Sequence, residues 1–261
     1  MEIRVEALAG EDEGIILLGL DRPAAKNALG RQLMTEFRQA VAALRADPSV
    51  RVVVLHSLVD GVFCPGADLK ERAGLSEAET VKVVTGLQTA FTALEALPVP
   101  VIAVLEGAAL GGGLELALAA DLRVAGAEAK LGLVETALAI IPGAGGTQRL
   151  PRVVGVSRAK ELIFTARRFD AAEALRLGVV DRVTPAGGAM DAALGLAREI
   201  LPNGPVAVRM AKLAINGGLQ LDLKAALAFE RACYAQVVGT RDRLEGLAAF
   251  REKRKPRYQG D

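Results

Sequence analysis

The chain has 261 residues, 51% of them hydrophobic, with 32 Lys and Arg against 31 Asp and Glu. That is length enough for one large domain with its own core, and a net charge of +1 offers no global attraction to nucleic acid or anionic lipid. The longest apolar runs reach about six to eight residues, well below the roughly twenty that cross a bilayer, and two cysteines with one histidine exclude a disulfide framework, a histidine metal cluster and a Ser-His-Asp triad together.

Met1 to Glu6 shows neither a basic-then-apolar signal region nor an Arg/Ser-rich transit segment. The expected location is therefore a bacterial cytoplasm, or the mitochondrial matrix for a trimmed eukaryotic form. Ile3 to Leu8 and Gly14 to Leu20, separated by a Gly/acidic turn, predict paired strands. Asp21-Arg22-Pro23 turns the chain, and a helix is expected from Asn27 to about Arg45, with Leu33, Phe37, Val41 and Leu44 on one face. Val50 to His56 reads as a buried strand, with His56 a satisfied residue at its end. A turn-rich stretch from Asp60 to Lys70 then leads into a helix. Cys64, between Phe63 and Pro65, reads as a small packing residue, because no histidine is placed to activate it.

Val101 to Leu105 is a second buried run, and strand, loop and helix alternate to about Ser157. Helices are expected near 157–165, 171–177, 190–201, 206–217 and 221–238, with a short strand at 180–183. A final amphipathic helix starts at Asp242 and ends before Pro256. The apolar faces of this last third exceed what a small bundle can bury, which predicts subunit contacts. Pattern alone leaves open whether the strands form repeated ββα units or an open doubly wound sheet.

The chemistry points to the centre of the chain. After Val101 to Leu105 the sequence breaks at Gly107 and enters three consecutive glycines, Gly111 to Gly113, before Leu114, Leu116, Ala117 and Leu118 resume at helical spacing. A glycine loop opening a helix presents free backbone N–H groups and the positive end of the helix dipole, which suit a developing negative charge. It lacks the GK[ST] ending of a P-loop and the spacing of a dinucleotide fingerprint. Glu115 lies in the first helical turn and Glu135 follows twenty residues later, in the apolar stretch GLVETALAIIPG. Two acids near one anion site fit proton transfer beside an oxyanion. The residue types also fit a plainer reading, with Glu115 favoured only by the dipole and Glu135 solvated in a loop.

Three segments, FCPGADLKERA, ALGGGLELALAADLRVA and LGLVETALAIIPGAGGTQRLPR, resemble the enoyl-CoA hydratase (crotonase) family, and most of all its AU-binding 3-methylglutaconyl-CoA hydratase branch. The likeness runs from about Gly14 to Gly260. It implies an α/β fold, a crotonase-like spiral of ββα units over residues 1–195, followed by a C-terminal helical trimerisation region over 196–261. It also implies homotrimers, usually paired into hexamers. The resemblance assigns the oxyanion hole to the N–H groups of Ala67 and Gly112. It gives Glu115 and Glu135 the task of holding a water, Glu115 helping to activate it and Glu135 exchanging the proton at C2. Burial among Leu133, Val134, Ile140 and Ile141 would raise the Glu135 pKa and keep it a proton donor. Many relatives that are isomerases, thioesterases or decarboxylases lack one of the two acids.

For coenzyme A the matching positions are Lys26, the loop residues Pro65, Ala67, Asp68, Leu69 and Lys70, and Phe250 and Lys253, which would reach a neighbouring subunit's acyl-CoA. Pro65 stands where the family commonly has alanine, a change that removes only an N–H. Without the family, Ala67 reads as an ordinary turn residue and Lys70 as solvated. No metal and no separate cofactor are expected, since coenzyme A arrives as part of the substrate.

Three functions compete. The first is hydration of a short or branched enoyl-CoA, with 3-methylglutaconyl-CoA to 3-hydroxy-3-methylglutaryl-CoA in leucine breakdown as the specific expectation. It rests on AKELIFTAR and DRLEGLAAFREKRKPRYQGD, which look most like that branch. The second is general short-chain hydration in fatty-acid β-oxidation. The third is RNA binding, because AU-binding relatives carry lysines on the first helix. In this chain those positions read Arg31, Thr35 and Gln39. Arg31, Arg38 and Arg45 form a stripe, but Glu36 interrupts it and no aromatic side chain is available for stacking, so a solvated face is expected and nucleic acid is not a partner.

Overall fold

In this computed structural model, which describes residues 1–261, the valine-rich run after Ser49 becomes β3 of a six-stranded sheet. Its strands in chain order are β1 (Ile3–Ala7), β2 (Ile15–Leu20), β3 (Val52–Ser57), β5 (Val101–Leu105), β7 (Leu122–Gly126) and β10 (Arg182–Thr184), and they lie side by side in that order. β4 (Val62–Cys64), β6 (Ala108–Leu110), β8 (Lys130–Gly132) and β9 (Phe169–Asp170) build a second sheet in the same manner. β3, β5 and β7 are each followed by one strand of the second sheet and then by a helical segment, and successive turns stack in parallel. This resolves the choice left open by the pattern in favour of a ββα spiral. Only β1 with β2 and β8 with β9 pair antiparallel.

The helices are α1 (Arg31–Ala46), α2 (Leu69–Arg72), α3 (Glu77–Glu95), α4 (Gly112–Leu118), α5 (Gly146–Val154), α6 (Val156–Phe164), α7 (Ala171–Leu177), α8 (Ala189–Ile200), α9 (Pro205–Gly218), α10 (Leu223–Val238) and α11 (Arg241–Glu252). Because side chains alternate across a strand, the large sheet is apolar on both faces. Ile16, Leu18, Leu20, Val53 and Leu55 face the main core, which also holds the fully buried rings of Phe37, Phe63 and Phe91. Burying side chains of this size stabilises by about 1.5–3 kcal/mol each. Ile15, Val52, Val54, Ile102, Val104 and Val124 point the other way and are covered by α8 through Ala189, Ala193 and Ala197. Alanine at every fourth position lets that helix lie close against the strands.

Several expectations need correction. α1 starts at Arg31, not Asn27, because Lys26 and Asn27 adopt left-handed φ values of 50° and 63°, and Asn27 is buried as an anchor. Position 195 lies within α8, whose Ala193 and Ala197 pack on the same sheet. Strand β9 lies beyond Ser157, and β10 begins at Arg182 because the Val180 N–H is taken by Ala174. α9 is fastened back to the spiral by Lys212, which donates to Asp121 Oδ2 at 2.7 Å and to the Val99 carbonyl at 2.9 Å. No helix is long and apolar enough to cross a membrane.

Candidate active site

The turn between β6 and α4 is built by glycines for two separate reasons. Gly111 caps α4 at φ 52° and ψ −126°, a conformation that excludes most side chains. At Gly113 a Cβ would collide with the Cys64 carbonyl, so the start of α4 can meet the end of β4 only as glycine. This close approach brings the β4–α2 loop onto the helix N-terminus. A Cβ placed on Gly112 would lie 3.7 Å from Gly66 Cα and 3.9 Å from the Ala67 nitrogen. The Ala67 N–H donates to no other group of the chain, and the Gly112 N–H, first in its helix, has no intrahelical acceptor. Two free donors thus stand side by side, the arrangement that stabilises an oxyanion.

Glu115, one turn into α4, is 3% exposed, and its Oε1 accepts the N–H groups of Ala144 at 2.8 Å and Gly146 at 2.7 Å. Burial pushes its carboxyl above the ordinary value, while those two bonds pull it back toward the ionised form. Glu135 opens a short 3-10 turn, Glu135–Leu138, and is 9% exposed. Its Oε2 is buried without a partner. Burial first, and the neighbouring Glu115 charge second, push its pKa up to about 7. Glu135 is therefore not the solvated loop residue of the plainer reading. Its burial also differs in origin from expectation. Leu133 is buried, but Ile140 and Ile141 are 47% and 67% exposed and line the cavity instead of enclosing the carboxyl.

That cavity measures about 630 Å³, a volume typical of small-molecule sites. Pro65, Gly66, Ala67 and Leu69 form one side and Gly111, Gly112, Glu115 and Glu135 the floor. Val84 and Leu87 of α3, with Leu138, Ile140 and Ile141, supply an apolar wall. The Enoyl-CoA hydratase/isomerase family description matches residues 10–261.

The chain belongs to the enoyl-CoA hydratase/isomerase family. It is 54% identical to the mitochondrial methylglutaconyl-CoA hydratase of Mus musculus over 100% of its own length and 84% of that protein. The human methylglutaconyl-CoA hydratase is also 54% identical, with 100% and 78% covered. Among solved structures, enoyl-CoA hydratase from Bacillus anthracis superposes with a TM-score of 0.96 at 46% identity, covering 100% of both chains.

Within this family member the other expected ligand residues separate into groups. Pro65, Ala67 and Leu69 line the cavity. Asp68 does not. Its carboxylate caps α2 by accepting from the N–H groups of Lys70 and Glu71, and it pairs with Arg22 at 2.8 Å. Lys26 and Lys70 are exposed, and neither lines the cavity. Phe250 is 84% exposed and Lys253 ends α11 at φ 54°, and neither lines the cavity of its own chain. Sequence reading missed three residues. Arg72 lines the cavity from the end of α2, where an arginine in the polar run ADLKERA reads as merely solvated. Asn27 ties the Lys26 turn to the Phe63 carbonyl. Arg149 grips Glu95 at 2.6 Å and the Ala144 carbonyl at 3.2 Å, steadying the loop that holds Glu115.

Proposed function

We propose that this enzyme adds water across the C2–C3 double bond of 3-methylglutaconyl-CoA, giving 3-hydroxy-3-methylglutaryl-CoA, a step of leucine breakdown. The observation that carries this reading is the pair of buried acids in one cavity beside two unengaged N–H donors. Identity of 54% to methylglutaconyl-CoA hydratases supports the choice of substrate. The thioester oxygen accepts from Ala67 and Gly112. Glu115, kept toward the ionised form by Ala144 and Gly146, takes a proton from the water as its oxygen bonds to C3. The electron pair of the double bond moves toward C2 and the thioester oxygen as an enolate. Glu135, with a pKa near 7, gives its proton to C2 as the enolate collapses. The proton accepted by Glu115 then restores the pair through solvent or product exchange.

Coenzyme A enters as part of the substrate, and no other organic group or metal takes part in this scheme. The apolar side chains left exposed on α9, α10 and α11, among them Ile215, Leu223, Leu227, Leu247 and Phe250, support assembly into trimers or pairs of trimers. RNA is not part of the proposal. Thr35 turns its hydroxyl to the Arg31 carbonyl, and the Glu36 carboxylate is occupied by the N–H groups of Glu2 and Ile3 at 2.6 and 3.1 Å. Hydration rates on crotonyl-, tiglyl- and 3-methylglutaconyl-CoA test the reading. The largest kcat/KM is expected for 3-methylglutaconyl-CoA, and a preference for crotonyl-CoA would instead favour a general short-chain hydratase.

A further inference from the structure

The catalytic cavity contains one cation. Arg72 reaches its wall from the last residue of α2, and the buried Nε has no hydrogen-bond partner. Its guanidinium makes no ion pair with Glu115 or Glu135 and no side-chain hydrogen bond elsewhere, although both carboxylates are close enough to favour its charge. Arginines of the same region behave differently: Arg22 pairs with Glu2, Asp68 and Glu71, and Arg149 with Glu95. A half-buried guanidinium without a partner is costly to keep unless something supplies acceptors.

The surroundings say what kind of acceptor fits. Val84, Leu87 and Ile141 line the same cavity and offer none. Behind Arg72 lies a second cavity of about 240 Å³ that shares Arg72 and Leu87 with the first and is also lined by Arg31, Arg38 and Lys82. Its two acids, Asp68 and Glu71, are already engaged by Arg22. Arg72 is therefore backed by positive charge and lies close to Glu115 and Glu135. A substrate's second carboxylate, repelled by those two acids, has Arg72 as the one cation lining this end of the cavity.

We propose that Arg72 is a specificity-determining residue that receives the distal carboxylate of an acyl-CoA, selecting dicarboxylic over plain aliphatic acyl chains. Its planar fork suits two parallel bonds to a carboxylate, and the unpaired Nε supplies one of the donors. Discrimination acts in both directions, because an aliphatic chain entering this end leaves the guanidinium unpaired. The proposal rests on the hydratase reading only for the identity of the natural substrate.

Glutaryl-CoA and butyryl-CoA differ by the distal carboxylate alone and carry no double bond to hydrate, so calorimetric binding of the two reads recognition without turnover. The wild-type protein is expected to bind glutaryl-CoA more tightly, by on the order of tenfold or more. Arg72→Met should abolish or reverse that preference, and Arg72→Lys should keep part of it. Because the preference is a ratio of affinities on one preparation, a partly misfolded variant does not imitate the effect. Equal wild-type affinities overturn the proposal, as does an Arg72→Met variant that weakens both ligands by the same factor, which would mark a purely structural arginine. If glutaryl-CoA is preferred through Arg72 while 3-methylglutaconyl-CoA is not hydrated, the carboxylate site stands and the hydratase assignment falls.

Discussion

Glu115 and Glu135 face one cavity in opposite hydrogen-bonding states. Oε1 of Glu115 accepts N–H groups from Ala144 and Gly146 at 2.8 and 2.7 Å, whereas Oε2 of Glu135 is buried with no partner. Burial raises both carboxyls, and the two N–H bonds pull Glu115 back toward the ionised form, which supports the base and acid roles proposed for the pair. Replacing either by Gln preserves shape and removes proton transfer. Each single variant should lose on the order of 10²-fold or more in kcat on an enoyl-CoA, measured by loss of the conjugated double bond's absorbance. Wild-type rates in both variants would remove these residues from the reaction.

The raised pKa of Glu135 has a consequence for stability. Its carboxyl titrates near 7 when folded, against an ordinary value of 4.5. Between those values the unfolded chain has released the proton that the folded chain still holds, so folding stability falls as pH rises from 4.5 to about 7 and is unaffected below 4.5. Glu135→Gln has no proton to lose. Relative to wild type it should be more stable by about 1–3 kcal/mol at pH 8 and little different at pH 4.5. Urea unfolding of both proteins at the two pH values reads the difference, and a gap independent of pH would show that the buried carboxyl's ionisation is not its cause.

How legible the site was depends on whether a residue's role was local. An anion site at Gly111 to Gly113 with Glu115 in the first turn was readable because a glycine run entering a helix creates donors and a dipole that sequence order alone specifies, whereas Gly112 itself was singled out by the family resemblance. Strands β2, β3 and β5 were readable for a similar reason, as each is a continuous apolar run. α3 went unread as an individual helix, because its apolar positions are spread by interspersed threonines and its Ser76 capping box follows closely on the short helix α2. α5 was hidden by Pro151, an internal proline that normally argues against a helix. Arg72 could not be found at all by pattern. Only the spiral carries the end of α2 to the same cavity as Glu135, sixty-three positions later in the chain.

Asn27 offers a test of that spiral closure. At a left-handed φ of 63° its Oδ1 accepts the Arg22 N–H at 2.8 Å, and its Nδ2 donates to Ser57 Oγ at 2.8 Å and to the Phe63 carbonyl at 3.1 Å. One side chain joins the turn beside Lys26 to the ends of β3 and β4. Asn27→Ala strands buried polar groups and places a Cβ-bearing residue with no compensating bond in the left-handed region, so it should cost about 2–4 kcal/mol. Asn27→Gly relieves only the backbone part and should remain clearly destabilised. A loss below about 0.5 kcal/mol for Asn27→Ala in a urea titration, the range of an ordinary surface substitution, would show that the turn is held by other contacts.

The proposed assembly is tested at the C-terminal helix. α11 leaves Phe250 84% exposed and Leu244 and Leu247 at 60% and 52%, and its last turn ends in Lys253 with left-handed φ. The tail beyond it is folded back, with Asp242 accepting the N–H groups of Gln259 and Gly260 at 2.6 and 2.8 Å, so this exposed face is presented by a fixed element. Apolar side chains exposed together on one helix support the proposed assembly, and the family resemblance is what sets Lys253 against a neighbour's coenzyme A. Lys253→Ala should raise KM for the CoA ester by about three- to tenfold with kcat nearly unchanged, the behaviour of binding lost equally from ground and transition states. Ending the chain after Gly239 removes the whole face and should give monomers or aggregates with little activity, as light scattering beside a rate assay would record. A shortened protein that is monomeric and keeps its KM would show that each subunit builds its own coenzyme site without its neighbour's α11.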